Sequence, residues 1–123
     1  MTSRDGPVVL RVLHVEDNAQ MRHWLEIAVD GVDDLKVVGA AADGRDGVEL
    51  AAELRPDVVV LDNSMPTMDG LDALPLIRQA CPEARVVMWC NDPHVRDRAL
   101  VRGAVELVDK AEPVERLIEV IRA

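Results

Sequence analysis

Short apolar runs rich in valine alternate along this chain with longer amphipathic stretches, and this alternation constrains the fold more than any other feature. A parallel sheet covered by helices has continuously apolar strands, because both faces of each strand are buried. We therefore predict a (βα)5 repeat, which is an α/β fold. The predicted strands span residues 8–15, 35–41, 58–61, 85–90 and 105–108. The predicted helices span residues 19–29, 45–54, 71–80, 93–101 and 113–122.

Local signals give further expectations for three of the helices. Apolar residues at i, i+3, i+4 and i+7 in the last helix form a stripe that should pack on the sheet. This stripe consists of Val114, Leu117, Ile118 and Ile121. Val120 lies off the stripe, so we expect it on a dimer or partner surface. The residues with core-facing spacing in the first helix are Met21, Trp24, Leu25 and Ala28. Asp92 followed by Pro93 predicts a helix N-cap with proline at the first helical position.

Length and charge exclude several classes of protein. With 123 residues the chain is the size of one domain, so we expect a single unit over residues 1–123 whose residues 1–7 are disordered or loosely ordered. The net charge of −9 repels nucleic-acid phosphates, so this chain is not expected to bind nucleic acid directly. Every apolar run is far shorter than the roughly 20 residues that span a membrane. The polar start lacks the apolar segment of a secretory signal, which predicts a cytoplasmic protein.

Charged side chains follow three of the predicted strands. Glu16 and Asp17 come after the first strand, Asp62 after the third and Lys110 after the fifth. Ligands of open parallel sheets bind beyond the carboxyl ends of the strands, and right-handed crossovers place those ends at one edge. We therefore expect three carboxylates and one ammonium to lie close together at that edge, although they are far apart in sequence.

Such a cluster is suited to a hard divalent cation. Crowded carboxylates repel one another unless a cation neutralises them, and Mg²⁺ prefers carboxylate oxygens, water and phosphate oxygens. A carboxylate beside such an ion can attack phosphorus, which makes Asp62 the candidate nucleophile. Lys110 would supply a point charge for the phosphoryl oxygens.

The motifs at these positions resemble the receiver domains of two-component response regulators. They are VEDN at residues 15–18, VLDNSMPTMDG at residues 60–70, Gly103 with Ala104, and Lys110. Each motif is weak alone, but together they are specific and cover nearly the whole chain. The resemblance implies a flavodoxin-like three-layer sandwich with a five-stranded parallel sheet in the order 2-1-3-4-5.

The resemblance also implies a role for each site residue. Asp62 would be phosphorylated by a histidine kinase or phosphotransfer protein, and Lys110 would contact Asp62 and the phosphoryl group. Asp17 and Asp62 would bind Mg²⁺ directly, Glu16 would act mainly through water, and the backbone carbonyl of Ser64 would complete the protein ligands. The chain would then be a signalling phosphoacceptor and not an enzyme, with at most autophosphorylation from small donors and slow autodephosphorylation.

Two positions depart from the receiver pattern. Cys90 stands where the family has the Ser or Thr that binds the phosphoryl group, and Leu107 stands where it has a switching aromatic residue. A thiol is a weak hydrogen-bond donor, so Cys90 would hold a phosphoryl oxygen less well than a hydroxyl. Trp89 could supply another aromatic lever, but alternation along a strand directs it to the opposite face from Cys90. The segment 90–110 is short for the family, which predicts a shortened fourth helix or its loop.

Several functional hypotheses therefore remain open. The main one is a phosphorylation switch whose output surface, and possible homodimer interface, is formed by helix four, strand five and helix five. The alternative is an atypical receiver that acts as a phosphorylation-independent protein-interaction module, as Cys90 and Leu107 would allow. A metal-dependent phosphohydrolase is weaker, because Asn63 and Ser64 follow Asp62 where such enzymes have an Asp-x-Asp arrangement. A flavin-binding protein would need a Gly-rich, hydroxyl-rich phosphate loop after the first strand, which this sequence lacks.

Overall fold

A computed structural model of the chain describes residues 8–123, so the expectation for residues 1–7 lies outside the described part. The strands are β1 Leu10–Val15, β2 Leu35–Ala41, β3 Val58–Leu61, β4 Arg85–Cys90 and β5 Glu106–Asp109. The helices are α1 Ala19–Asp30, α2 Gly44–Leu54, α3 Gly70–Ala80, α4 Arg96–Val101 and α5 Val114–Arg122. A 3₁₀ turn at Pro93–Val95 precedes α4, and this helix has only 6 residues, as the short segment 90–110 had indicated. No helix in the described part is long and apolar enough to cross a membrane.

The five strands form one parallel sheet in the order β2-β1-β3-β4-β5, which confirms the predicted flavodoxin-like topology. Residue alternation along the strands divides the core into two apolar layers. Leu13 and Leu61 pack in the layer that contains residues of α2, α3 and α4. Val12 and Val60 pack in the layer that contains residues of α1 and α5. The sheet is therefore the middle layer of a three-layer sandwich, and its core is covered on both faces.

Side chains of the loops set where the helices after β1, β2 and β3 begin. Asn18, Asp43 and Asp69 each accept a hydrogen bond from a backbone N–H three residues later, which satisfies a free donor of the first helical turn. The start of α3 is also tied to the loop after β3, because the Gly70 N–H donates to the Asn63 carbonyl over 2.8 Å. These caps fix the loops at the carboxyl edge of the sheet.

Two local expectations are wrong, and a third, the N-cap at Asp92 followed by Pro93, holds only in part. Val120 is buried in the layer beneath α5 and is not on an outer surface, because the apolar face of this helix is wider than a single stripe. Trp24 is 45 % exposed, because it lies at the edge of the buried face of α1, where one side of its ring stacks on Trp89. Asp92 stands at the N-cap position of the 3₁₀ turn but caps no backbone N–H, because its carboxylate accepts hydrogen bonds from the loop after β3.

Candidate functional site

The residues predicted to form the site lie together at the carboxyl edge of the sheet. Hydrogen bonds of the sheet continue one residue past three of the strands and fix the backbone of each site residue. The N–H of Glu16 donates to Ala41, that of Asp62 to Val15 and that of Lys110 to Cys90, each over 2.9 Å. Their side chains therefore project from the hydrogen-bonded carboxyl edge of the sheet.

Glu16, Asp17 and Asp62 form the predicted acidic cluster. One carboxylate oxygen of each residue lies within 4.8 Å of the others. Glu16 and Asp62 are buried, whereas Asp17 is exposed at the mouth of the cleft. The loop after β1 is held by two hydrogen bonds, from the Arg22 guanidinium to the Glu16 carbonyl over 2.7 Å and from the Asn18 N–H to the Glu16 carboxylate over 3.2 Å.

Lys110 reaches into this cluster from the end of β5. Its Nζ lies 2.7 Å from Glu16 Oε1 and 3.4 Å from Asp62 Oδ1. Burial lowers the pKa of Lys110, but the hydrogen bond to Glu16 and the negative charges of Asp62 and Glu16 outweigh burial, so the pKa rises above its ordinary value. Lys110 is therefore an ammonium at neutral pH and offsets part of the negative charge.

One ammonium does not neutralise the cluster. Burial and, next, the charge of Glu16 raise the pKa of Asp62 from 3.8 to about 6, against the opposing effect of Lys110 and of the Asn63 N–H. A second cation would therefore stabilise the ionised site. The available donors are all oxygens, which fits a hard ion such as Mg²⁺ and does not fit the nitrogen and sulfur ligands of structural zinc sites.

The rim of the cleft contains an acidic residue to which the sequence analysis gave a different role. The Asp92 carboxylate accepts hydrogen bonds from Asn63 Nδ2 and Ser64 Oγ, each over 3.3 Å. Asp92, Ser64 and Asn91 line the same cleft as Asp62 and Lys110. An acidic residue two positions after the end of β4 was visible in the sequence, but the bond to the loop after β3 was not.

Cys90 and Leu107 lie in the same apolar layer, beside α2, α3 and α4. Cys90 is buried at the end of β4, and its Sγ is 3.9 Å from the Asp92 carbonyl oxygen. Burial raises the pKa of the Cys90 thiol, so the group stays a protonated, weak hydrogen-bond donor near the cleft. Trp89 packs in the other layer, as strand alternation predicted.

Comparisons with known proteins agree with this arrangement. The family model for the response regulator receiver domain matches residues 12–122. The protein-glutamate methylesterase/protein-glutamine glutaminase of Thermotoga maritima is 42 % identical over 106 residues, which are 83 % of this chain and 30 % of the relative. The chain thus spans about a third of the length of that curated relative.

Two solved structures are similar over nearly the whole chain. The response regulator domain of Thermotoga maritima CheB has a TM-score of 0.87 and 38 % identity, with 93 % of this chain and 94 % of that chain covered. The CheX-CheY complex of Borrelia burgdorferi with BeF₃ and Mg²⁺ has a TM-score of 0.83 and 25 % identity, with 91 % and 86 % covered.

Proposed function

This chain belongs to the response regulator receiver domain family, and from that premise we propose that Asp62 accepts a phosphoryl group in a Mg²⁺-dependent reaction. The phosphoryl donor is a histidine kinase or a phosphotransfer protein. The observation that carries this proposal is the position of Asp62 between the carboxylates of Glu16 and Asp17 and the ammonium of Lys110.

The side chains have separate roles in this reaction. An Asp62 carboxylate oxygen attacks phosphorus, and a new O–P bond forms as the P–N bond to the donor imidazole breaks. When bound, Mg²⁺ neutralises charge on the phosphoryl oxygens. Asp17, Asp62 and the Ser64 carbonyl would hold the ion, and Glu16 would act mainly through water. Lys110 Nζ contacts the phosphoryl oxygens, and its 3.4 Å distance from Asp62 Oδ1 suits that role.

The product is a signalling state, and the domain is a phosphoacceptor and not an enzyme that turns over a substrate. A phosphoryl group adds about −1.5 to −2 charges at the sheet edge, by analogy with phosphorylated hydroxyls. We propose that the domain is cytoplasmic. We propose that the added charge shifts its population toward a second conformation of the surface formed by α4, β5 and α5. Val101 and Val105 expose apolar side chains on this surface, which could contact a partner or a second copy. Sedimentation of the protein with and without phosphodonor tests the homodimer.

Intact-mass spectrometry tests the phosphorylation directly. Wild type, Asp62→Ala and Asp33→Ala are incubated with acetyl phosphate, with Mg²⁺ or with EDTA. Asp33 is an exposed carboxylate remote from the cleft, so its variant is a matched control. We expect the mass of one phosphoryl group on wild type and Asp33→Ala only when Mg²⁺ is present, and none on Asp62→Ala.

A second candidate function is a phosphorylation-independent interaction module, and the burial of Cys90 and Leu107 at the switch positions favours it. Neither side chain can hydrogen-bond a phosphoryl oxygen as strongly as a hydroxyl does. Partner capture by Asp62→Ala that equals capture by wild type, together with no phosphoryl gain from acetyl phosphate or from a cognate kinase, would establish this alternative.

A further inference from the structure

Trp89 lies at the centre of a cluster that adjoins the phosphorylation site from the α1 and α5 side of the sheet. Lys110 Nζ lies over its ring, 5.6 Å from the centroid. The ring of Trp24 stacks on Trp89 with centroids 6.0 Å apart and planes 16° apart. The ring of His14 is 5.8 Å away and tilted by 41°. Trp89 therefore touches both the site lysine and a residue of α1.

Two kinds of group attract the Lys110 ammonium. On one side are the carboxylates of Glu16 and Asp62, and on the other is the face of the Trp89 indole. A cation within about 6 Å of an indole centroid is attracted by the ring, and the attraction grows when water is excluded. Only 10 % of the Lys110 side chain is exposed, so the contact lies in the stronger range.

Hydrogen bonds do not hold the Trp89 ring. Within residues 8–123, its buried Nε1 has no hydrogen-bond partner, and neither nitrogen of the buried His14 has one. Packing, the Trp24 stack and the Lys110 contact are thus what fix the ring. Trp24 is 45 % exposed on α1, so the cluster extends from the buried lysine to the protein surface.

We propose that Trp89 is a positioning residue for Lys110 in phosphoryl transfer. A change in the contact between Lys110 and Trp89 then alters the stacked Trp24 at the surface of α1. The proposal rests on the proposed phosphorylation of Asp62. When phosphoryl oxygens attract the Lys110 ammonium, its contact with the Trp89 face changes, and the stacked Trp24 responds. A switching aromatic residue in β5 is not required, because Leu107 packs in the opposite apolar layer from Trp89.

Intrinsic fluorescence can follow this cluster without added labels. The chain has 2 Trp and no Tyr, so Trp24→Phe leaves Trp89 as the single emitter and Trp89→Phe leaves Trp24. Both variants are mixed with Mg²⁺ and acetyl phosphate, and the emission is recorded alongside intact mass. We expect each emission to change at the rate at which the phosphoryl mass appears. A mass gain without a change in either emission overturns the inference and leaves the phosphorylation intact.

Rates of phosphorylation test the positioning role. Trp89→Leu removes the ring face, so we expect the maximal rate at saturating Mg²⁺ to fall by about fivefold. Trp89→Phe keeps an aromatic face and should restore the rate to within about twofold of wild type. Ile27→Ala, which removes an exposed apolar side chain of α1, is the control and should leave the rate unchanged. Equal rates for Trp89→Leu and wild type overturn the inference.

A third measurement does not depend on phosphorylation. In the Trp24→Phe background, Lys110→Met removes the ammonium from the Trp89 face in the resting protein, so the Trp89 emission maximum should shift. An unchanged maximum shows that the ammonium does not contact the ring, and this overturns the inference even if no phosphodonor reacts. A shift combined with no mass gain in wild type, from acetyl phosphate or from a cognate kinase, would retain the contact and reject the phosphorylation of Asp62.

Discussion

Replacing Asp62 with Asn should stabilise the Mg²⁺-free protein at neutral pH. Burial, and then Glu16, raise the pKa of Asp62 from 3.8 to about 6, which means that the folded state disfavours the ionised carboxylate. A difference of that size corresponds to roughly 3 kcal/mol. This shift already includes the attraction to Lys110, but the Asn amide is itself polar and costs free energy to bury, so we expect a net gain of about 1–2 kcal/mol in the free energy of unfolding.

The gain should depend on pH in a defined way. A folded-state pKa above the unfolded value gives stability that is fully present below pH 4 and is lost as pH rises through about 6. Wild type should therefore lose stability relative to Asp62→Asn between pH 4 and pH 7, and the two proteins should be closest below pH 4. Since a bound metal competes with the proton on Asp62, Mg²⁺ affinity should also weaken as pH falls below about 6.

Urea unfolding at a series of pH values, with EDTA or with Mg²⁺, measures both effects. The exposed Asp33→Asn is the control and should follow wild type at every pH. Added Mg²⁺ should stabilise wild type more than Asp62→Asn, because only the native carboxylate cluster binds the ion fully. If Asp62→Asn is no more stable than wild type at pH 7.5 in EDTA, burial and the charge of Glu16 do not raise the pKa of Asp62.

Three further predictions test other parts of the structure. Gly70→Ala would place a Cβ against the Asp62 backbone carbonyl, so it should cost about 1–3 kcal/mol in urea unfolding and slow phosphorylation, and a wild-type result on both would refute this packing. Val120→Arg should destabilise the fold by about 2–4 kcal/mol, whereas Val101→Arg, at an 88 % exposed position, should stay within about 0.5 kcal/mol; equal effects would contradict the assigned burial. Cys90→Ser supplies a hydroxyl near Asp62 and should speed acetyl-phosphate labelling in the mass assay by a few-fold, which an unchanged rate would exclude.

The sequence predicted the strands well because a buried parallel strand has a simple pattern. Four of the predicted strands agree with the structure to within one residue, and the first begins at Leu10 and not at residue 8. The difference has a physical cause, since β2 begins at Leu35, which pairs with Leu10, and leaves Val8 and Val9 without a strand partner. Apolar character indicates burial, but pairing decides where a strand starts.

The acidic cluster was also predictable, whereas the contacts around it were not. Glu16, Asp17, Asp62 and Lys110 follow strand ends, and the parallel topology alone brings such positions together. The hydrogen bonds from Asn63 and Ser64 to Asp92 join residues that are 29 and 28 positions apart. Spacing in the sequence does not show whether two such side chains point toward each other.

Helical periodicity gave the wrong burial for two residues at the edges of the buried helix faces. Trp24 follows the core-facing spacing of α1, yet its ring is 45 % exposed and stacks on the buried Trp89 from the surface side. Val120 departs from the stripe of α5, yet it is buried near β4, where the Arg85 guanidinium donates to the carbonyls of Val120 and Ile121. A stripe gives the centre of a buried face, and the neighbouring elements decide its width.

The bond between Lys110 and Glu16 joins residues 94 positions apart, and this separation has a consequence for folding. Closing so long a loop is slow, because its entropy cost is offset only when the intervening strands are already paired. A chain still lacking β5 on the ribosome would carry Asp62 without its ammonium partner. Competence for phosphoryl transfer should therefore arise late in folding, so that only molecules with a completed sheet can receive the signal.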